Sequence, residues 1–132
     1  MRSYTNTYNL LSAKAATGID KVMEVSDFRH LVLAIDSAGN ATFTLKVQGS
    51  IQTAMPDFAA AQSPTNQWTY LQSIDLADQS AVNGGTGIPA TGTDIHRMLE
   101  INTNGVKWVT VNVTAYTGGT IYATLKPFND AI

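Results

Sequence analysis

Residues Leu99–Lys126 read LEINTNGVKWVTVNVTAYTGGTIYATLK, three runs of two-residue hydrophobic period separated by Asn104-Gly105 and Gly118-Gly119. Asn-Gly and Gly-Gly supply the positive backbone angles of tight hairpin turns, so the segment predicts a β-meander. Val109, Val111, Val113 and Ala115 fall on one face, with Thr110, Asn112, Thr114 and Tyr116 on the other. One face must meet a core, and the valine face is the natural choice. Trp108 and Tyr116 are then expected to point outward.

Working towards the N-terminus, the same period recurs. Ala41 to Gly49 alternates, with Phe43, Leu45 and Val47 inward and Thr42, Thr44, Lys46 and Gln48 outward. Arg29 to Asp36 holds a continuous apolar run, the mark of a central strand. The turn composition of Ser37–Asn40 predicts a hairpin between the two. Lys21 to Val25 reads as a short strand, and residues 1–20 as an arm with one edge strand around Tyr8 to Ala13. Trp68 to Leu76 alternates again. Two long excursions interrupt the strands, 53–67 with Pro56 and Pro64, and 77–93 with four glycines and Pro89. Both are expected to be loops, since proline excludes a central strand. The sum is an all-β chain, an antiparallel β-sandwich of about seven or eight strands in which a jelly-roll topology is one option. One domain spans 21–132, with the 1–20 arm belonging to it.

The bulk properties narrow the chemistry. The chain has 132 residues, a net charge of −2 and only 14% charged residues, against an average near one quarter. Thr, Ser, Asn and Gln make up its polar surface instead. Charge is one of the guards on sheet edges, so such a surface suits a protein that sits against neighbours. Nothing in the sequence clusters the Lys and Arg needed to displace counterions from nucleic acid. There are no cysteines, which excludes disulfides, thiolate metal sites and cysteine nucleophiles. Without a signal-peptide h-region or an apolar span, a soluble cytoplasmic product is expected, leaving any cell by lysis or a dedicated machine.

No catalytic pattern emerges. His30 and His96 lack a third ligand or a nucleophile at useful spacing. Asp75, Asp78 and Asp94 do not form a calcium loop of known type, and Glu24 and Glu100 read as solvated strand acids. The glycines of AVNGGTGIPATGTD lack the lysine and helix of a phosphate loop. No enzyme activity, metal or cofactor is expected. Trp68, Tyr70, Trp108, Tyr116 and Tyr122 could serve as core packing, as a subunit interface or as a sugar-stacking platform.

The stretches GIDKVMEVSDFRHLVLAID (18–36), TLKVQGSIQ (44–52), PDFAAAQSPTNQW (56–68) and INTNGVKWVTVNVTAY (101–116) occur in an order that resembles small β-sandwich virion proteins of tailed bacteriophages. The similarity runs from about Leu10 to Leu125. It implies a structural component of the virion, made in the host cytoplasm, with a capsid decoration (cement) protein as the leading form. The implied partners are the major capsid protein or other virion proteins and further copies of the chain, a trimer by analogy. Contact residues are expected in the arm (Tyr4, Tyr8, Leu10, Leu11), around the 53–67 loop (Met55, Phe58, Trp68) and at Trp108 and Tyr116. The alternatives are a tail, neck or fibre component and a carbohydrate-binding module.

Overall fold

The computed structural model describes residues 7–129 and is all-β, with eleven strands and no helix among those residues. Eight strands build the frame: β1 (Tyr8–Lys14), β2 (Val22–Glu24), β3 (His30–Ala38), β4 (Asn40–Ser50), β8 (Ile88–Thr93), β9 (His96–Asn102), β10 (Trp108–Thr117) and β11 (Thr120–Phe128). Three short strands, β5 (Thr69–Tyr70), β6 (Ser73–Asp75) and β7 (Ala81–Val82), lie in the segment between β4 and β8.

The front sheet runs β1-β11-β3-β9-β6-β7. In the back sheet the order is β2-β10-β4, with both β8 and β5 on the far edge of β4. The frame pairs are thus β1 with β11, β2 with β10, β3 with β9 and β4 with β8, all antiparallel. Such nesting is one long hairpin rolled up on itself, which is the jelly roll. The sandwich is therefore as expected, with eight frame strands plus three short ones.

The three C-terminal runs are strands, but they do not form a meander. β9 pairs with β3, β10 with β4 and β2, and β11 with β3 and β1. Nor do β3 and β4 form a hairpin, since they lie in opposite sheets. The glycine turns are corners rather than hairpin loops. Gly39 (φ 79°), Asp94 (φ 52°) and the pair Gly118 (φ 72°) and Gly119 (φ 80°) each carry the chain from one sheet to the other. Two of these corners are tied together: the Gly39 N–H donates to Asp94 Oδ1 (3.1 Å), and the Ile95 N–H to Ser37 Oγ (3.0 Å).

Alternation fills the space between the sheets. Leu31, Leu33 and Ile35 of β3, Phe43, Leu45 and Val47 of β4, Val109, Val111 and Val113 of β10, and Ile121, Ala123 and Leu125 of β11 are all buried. β3 is central, as its apolar run predicts, between β11 and β9. Of the three register shifts in β1 and β10, two move side chains between faces. One in β1 lets the adjacent Leu10 and Leu11 both enter the core. The other, between Val113 and Ala115, leaves Ala115 exposed and sets Tyr116 opposite Phe43. Tyr116 therefore packs against the core, not outward as the uninterrupted period predicts.

The two predicted long loops are also revised. Residues 88–93 are a strand despite Pro89 and Gly92, because β8 is an edge strand and Pro89 needs no ladder donor on its open side. Trp68–Leu76 is not one strand: β5 joins the back sheet and β6 the front. The break is at Leu71, whose side chain lies over Gly49 so closely that a Cβ there would come within 2.7 Å of it.

Candidate binding surface

The 51–68 segment leaves the end of β4, folds across the outer face of the back sheet and returns as β5. Its shape is fixed by its own polar side chains. Asn66 donates through Nδ2 to the carbonyls of Asp57 (2.9 Å) and Ala61 (3.1 Å), and its Oδ1 accepts the Asp57 N–H (2.8 Å). Gln62 Nε2 donates to the Trp68 carbonyl, and Trp68 Nε1 to the Ala60 carbonyl. Ser50 Oγ donates to the Gln67 carbonyl, tying the loop to the end of β4.

Beneath it lies Gln48, expected to face solvent but fully buried. Its strand position is outward, as the period says; the loop then covers it. Gln48 Nε2 donates to the Phe58 carbonyl (3.0 Å), while its Oε1 has no partner among the described residues. Phe58 is buried, with its ring 6.4 Å from that of Trp68, and Trp68 meets Tyr70 edge-on at 5.1 Å. The Lys46 ammonium sits 4.8 Å from the centre of the Tyr70 ring.

Beside this loop is a cleft of about 530 Å³, bordered by Gly49, Ile51, Gln62, Gln67, Trp68, Leu71 and Val106. None of its lining residues is charged. Ile51 stands at its rim, 71% exposed. That size falls within the range of small-ligand and anchor-residue pockets. Ile51, Leu71 and Val106 were not legible as site residues. Each is a lone apolar residue at a strand end, where the period stops before the chain turns.

Of the expected contact residues, Trp68 lines the cleft and Met55 is exposed beside a second depression with Ile19, Val22 and Pro56. Trp108 is outward and half-buried, its Nε1 donating to the Gln52 carbonyl (2.9 Å), with the Lys107 ammonium 5.3 Å from the ring centre. Tyr8 is exposed on β1. Leu10 and Leu11 are core residues, Phe58 is buried under the loop, and Tyr116 is partly buried with its ring packed against the core. Tyr4 lies outside the described residues. The five aromatics weighed as a sugar platform are not on one surface. Tyr122 sits on the front sheet, Tyr116 faces the core, and Trp68, Tyr70 and Trp108 are on the back sheet side.

Both histidines and the aspartates Asp36, Asp75 and Asp78 have local partners. His96 Nδ1 lies 2.6 Å from Asp36 Oδ1, and His30 stacks on Phe128 at 5.3 Å. The Ala77 N–H and the Arg97 guanidinium (2.6 Å) hold the Asp75 carboxyl below its ordinary range, and the Ser80 hydroxyl and N–H do the same for Asp78. Among the described residues no three His, Asp or Glu side chains converge.

No family model matches the chain, and no curated protein matches it by sequence. Solved structures that match its fold include two proteins. One is the SPBc2 prophage-derived protein YomS, with a TM-score of 0.67 and 15% identity over 96% of this chain and 95% of that one. The other is the PBSX exported protein XepA, with a TM-score of 0.69 and 13% identity over 96% of this chain but only 38% of that one. At these identities the likeness establishes a shared fold: this chain has the β-sandwich fold of YomS and of part of XepA.

Proposed function

We propose that this chain is a structural protein of a bacteriophage particle that acts by docking to other virion proteins, with decoration of the capsid as the leading form. The observation that carries the reading is that both structural neighbours, one of them matched end to end, are prophage-encoded proteins. Fold alone does not fix function. The surface adds support: a preformed, charge-free cleft with a tryptophan wall suits an apolar anchor from a partner protein better than a substrate. In this reading the protein is not an enzyme and uses no cofactor. It binds the major capsid protein and self-associates, as a trimer by analogy with shell-stabilising proteins. Tail, neck or fibre placement uses the same surface in a different ring.

Rebinding tests the reading. Purified protein is added to particles lacking it, and bound copies are counted. Wild type is expected to saturate a fixed number of sites, and Ile51→Asp, at an exposed position, to bind at least about tenfold more weakly. No saturable binding contradicts the proposal. Because XepA is described as an exported protein, the competing reading is a released phage-encoded protein that never joins the particle. Glycan binding lost in Trp68→Ala or Trp108→Ala, with no particle binding, would favour a carbohydrate-binding module.

A further inference from the structure

The chain contains two Asn-Gly steps, Asn83-Gly84 and Asn104-Gly105, and the fold treats them in opposite ways. We propose that Asn104 is a site of spontaneous self-modification, deamidating through a succinimide, while Asn83 is held unreactive by its surroundings. In the reaction the backbone nitrogen of Gly105 attacks Cγ of Asn104. The N–Cγ bond forms, the Cγ–Nδ2 bond breaks, and ammonia leaves with the amide proton. Water then opens the ring at either carbonyl to give aspartate or isoaspartate.

Two features favour this at Asn104, and one turn hydrogen bond has to open first. The turn Thr103–Val106 is closed by the Val106 N–H donating to the Thr103 carbonyl (2.8 Å), and Gly105 has φ 90°, the type II pattern, so this bond must release before the Gly105 nitrogen can swing onto Cγ. The Gly105 N–H itself makes no hydrogen bond among the described residues, and neither does the Asn104 carboxamide. Nothing lies within 4 Å of where a Gly105 Cβ would stand, so the attack is not blocked on that side. At Asn83 the carboxamide oxygen accepts the N–H groups of Gly85 (2.9 Å) and Thr86 (3.2 Å). Gly84 is packed on the backbone of Leu71, with a Cβ position only 2.8 Å from it. Reaction there must first break both hydrogen bonds and lift the loop.

The product matters to the surface. Isoaspartate adds one backbone atom and one negative charge to the connection between β9 and β10, next to Val106, which lines the Trp68 cleft.

Peptide mass spectrometry with isoaspartate-specific fragmentation tests the proposal on the intact chain held at mildly alkaline pH, folded and in denaturant. In denaturant the two steps should convert at similar rates. In the folded protein Asn104 should convert at least about tenfold faster than Asn83, the cost of losing two ordinary hydrogen bonds. Asn83 keeping pace in the folded protein, or Asn104 staying intact there while converting in denaturant, would overturn it.

Discussion

Ala13 lies inside edge strand β1 with φ 53°, a left-handed angle that costs an L-residue with a Cβ roughly 1–2 kcal/mol. Ala13→Gly removes that cost but loosens the unfolded chain, so it should be neutral to stabilising by up to about 1 kcal/mol in denaturant melts. Gly119→Ala should do the reverse. Its φ is 80°, and an added Cβ would stand 2.6 Å from that of Ala41, so a clear loss of about 2 kcal/mol or more is expected. Asp75 contributes to the acid limb. Its folded carboxyl is held low by the Ala77 N–H and Arg97, so it stabilises the fold above the unfolded value near 3.9 and loses that contribution as pH falls through the folded value. Asp75→Asn should therefore lower the Tm at neutral pH, with the gap to wild type closing in acid. A gap constant with pH would contradict the assignment.

The 51–68 loop behaves as a unit because Asn66 satisfies three backbone groups of its far side at once. Asn66→Ala should reduce hydrogen-exchange protection within the loop by about tenfold or more, with β3, β4 and β10 little changed. Unaltered loop protection would show that the outer-face packing of Phe58 and Trp68 suffices. At this scale the sequence was informative where side chains alternate and silent where a strand end is recruited. The strands of Ala41–Gly49 and 108–126 were legible from period, and that of Arg29–Asp36 from its continuous apolar run. β8 was not, because Pro89 and Gly92 look like loop residues unless the strand is known to be an edge. Burial of Gln48 was equally hidden, since its cover comes from a loop that the period cannot place. Among the expected contact residues, Trp68, Met55 and Trp108 reach the back-sheet surface. Leu10 and Leu11 lie on the front sheet, where a bulge lets both enter the core, and Tyr116 packs against the core because a bulge in β10 shifts its register by one residue.

Across the whole molecule, the nested pairs from β1–β11 inward to β4–β8 explain why the turn signals misled. A glycine turn between two alternating runs reads as a hairpin when only neighbours in sequence are considered. In a rolled hairpin the partner of each strand lies far along the chain, and the same glycines make corners between sheets. The roll also leaves one long insertion, 51–87, free to build the cleft without disturbing the frame. A docking protein on that plan presents its contact surface from the insertion while the frame stays rigid. Quantitative mass spectrometry of purified, washed particles of the encoding phage tests this most directly, by counting the chain against the major capsid protein. Decoration predicts one copy per capsid subunit or a fixed large fraction of it. A few copies to a few dozen would move the protein to the neck, tail or fibre, and absence from washed particles would contradict the virion reading altogether.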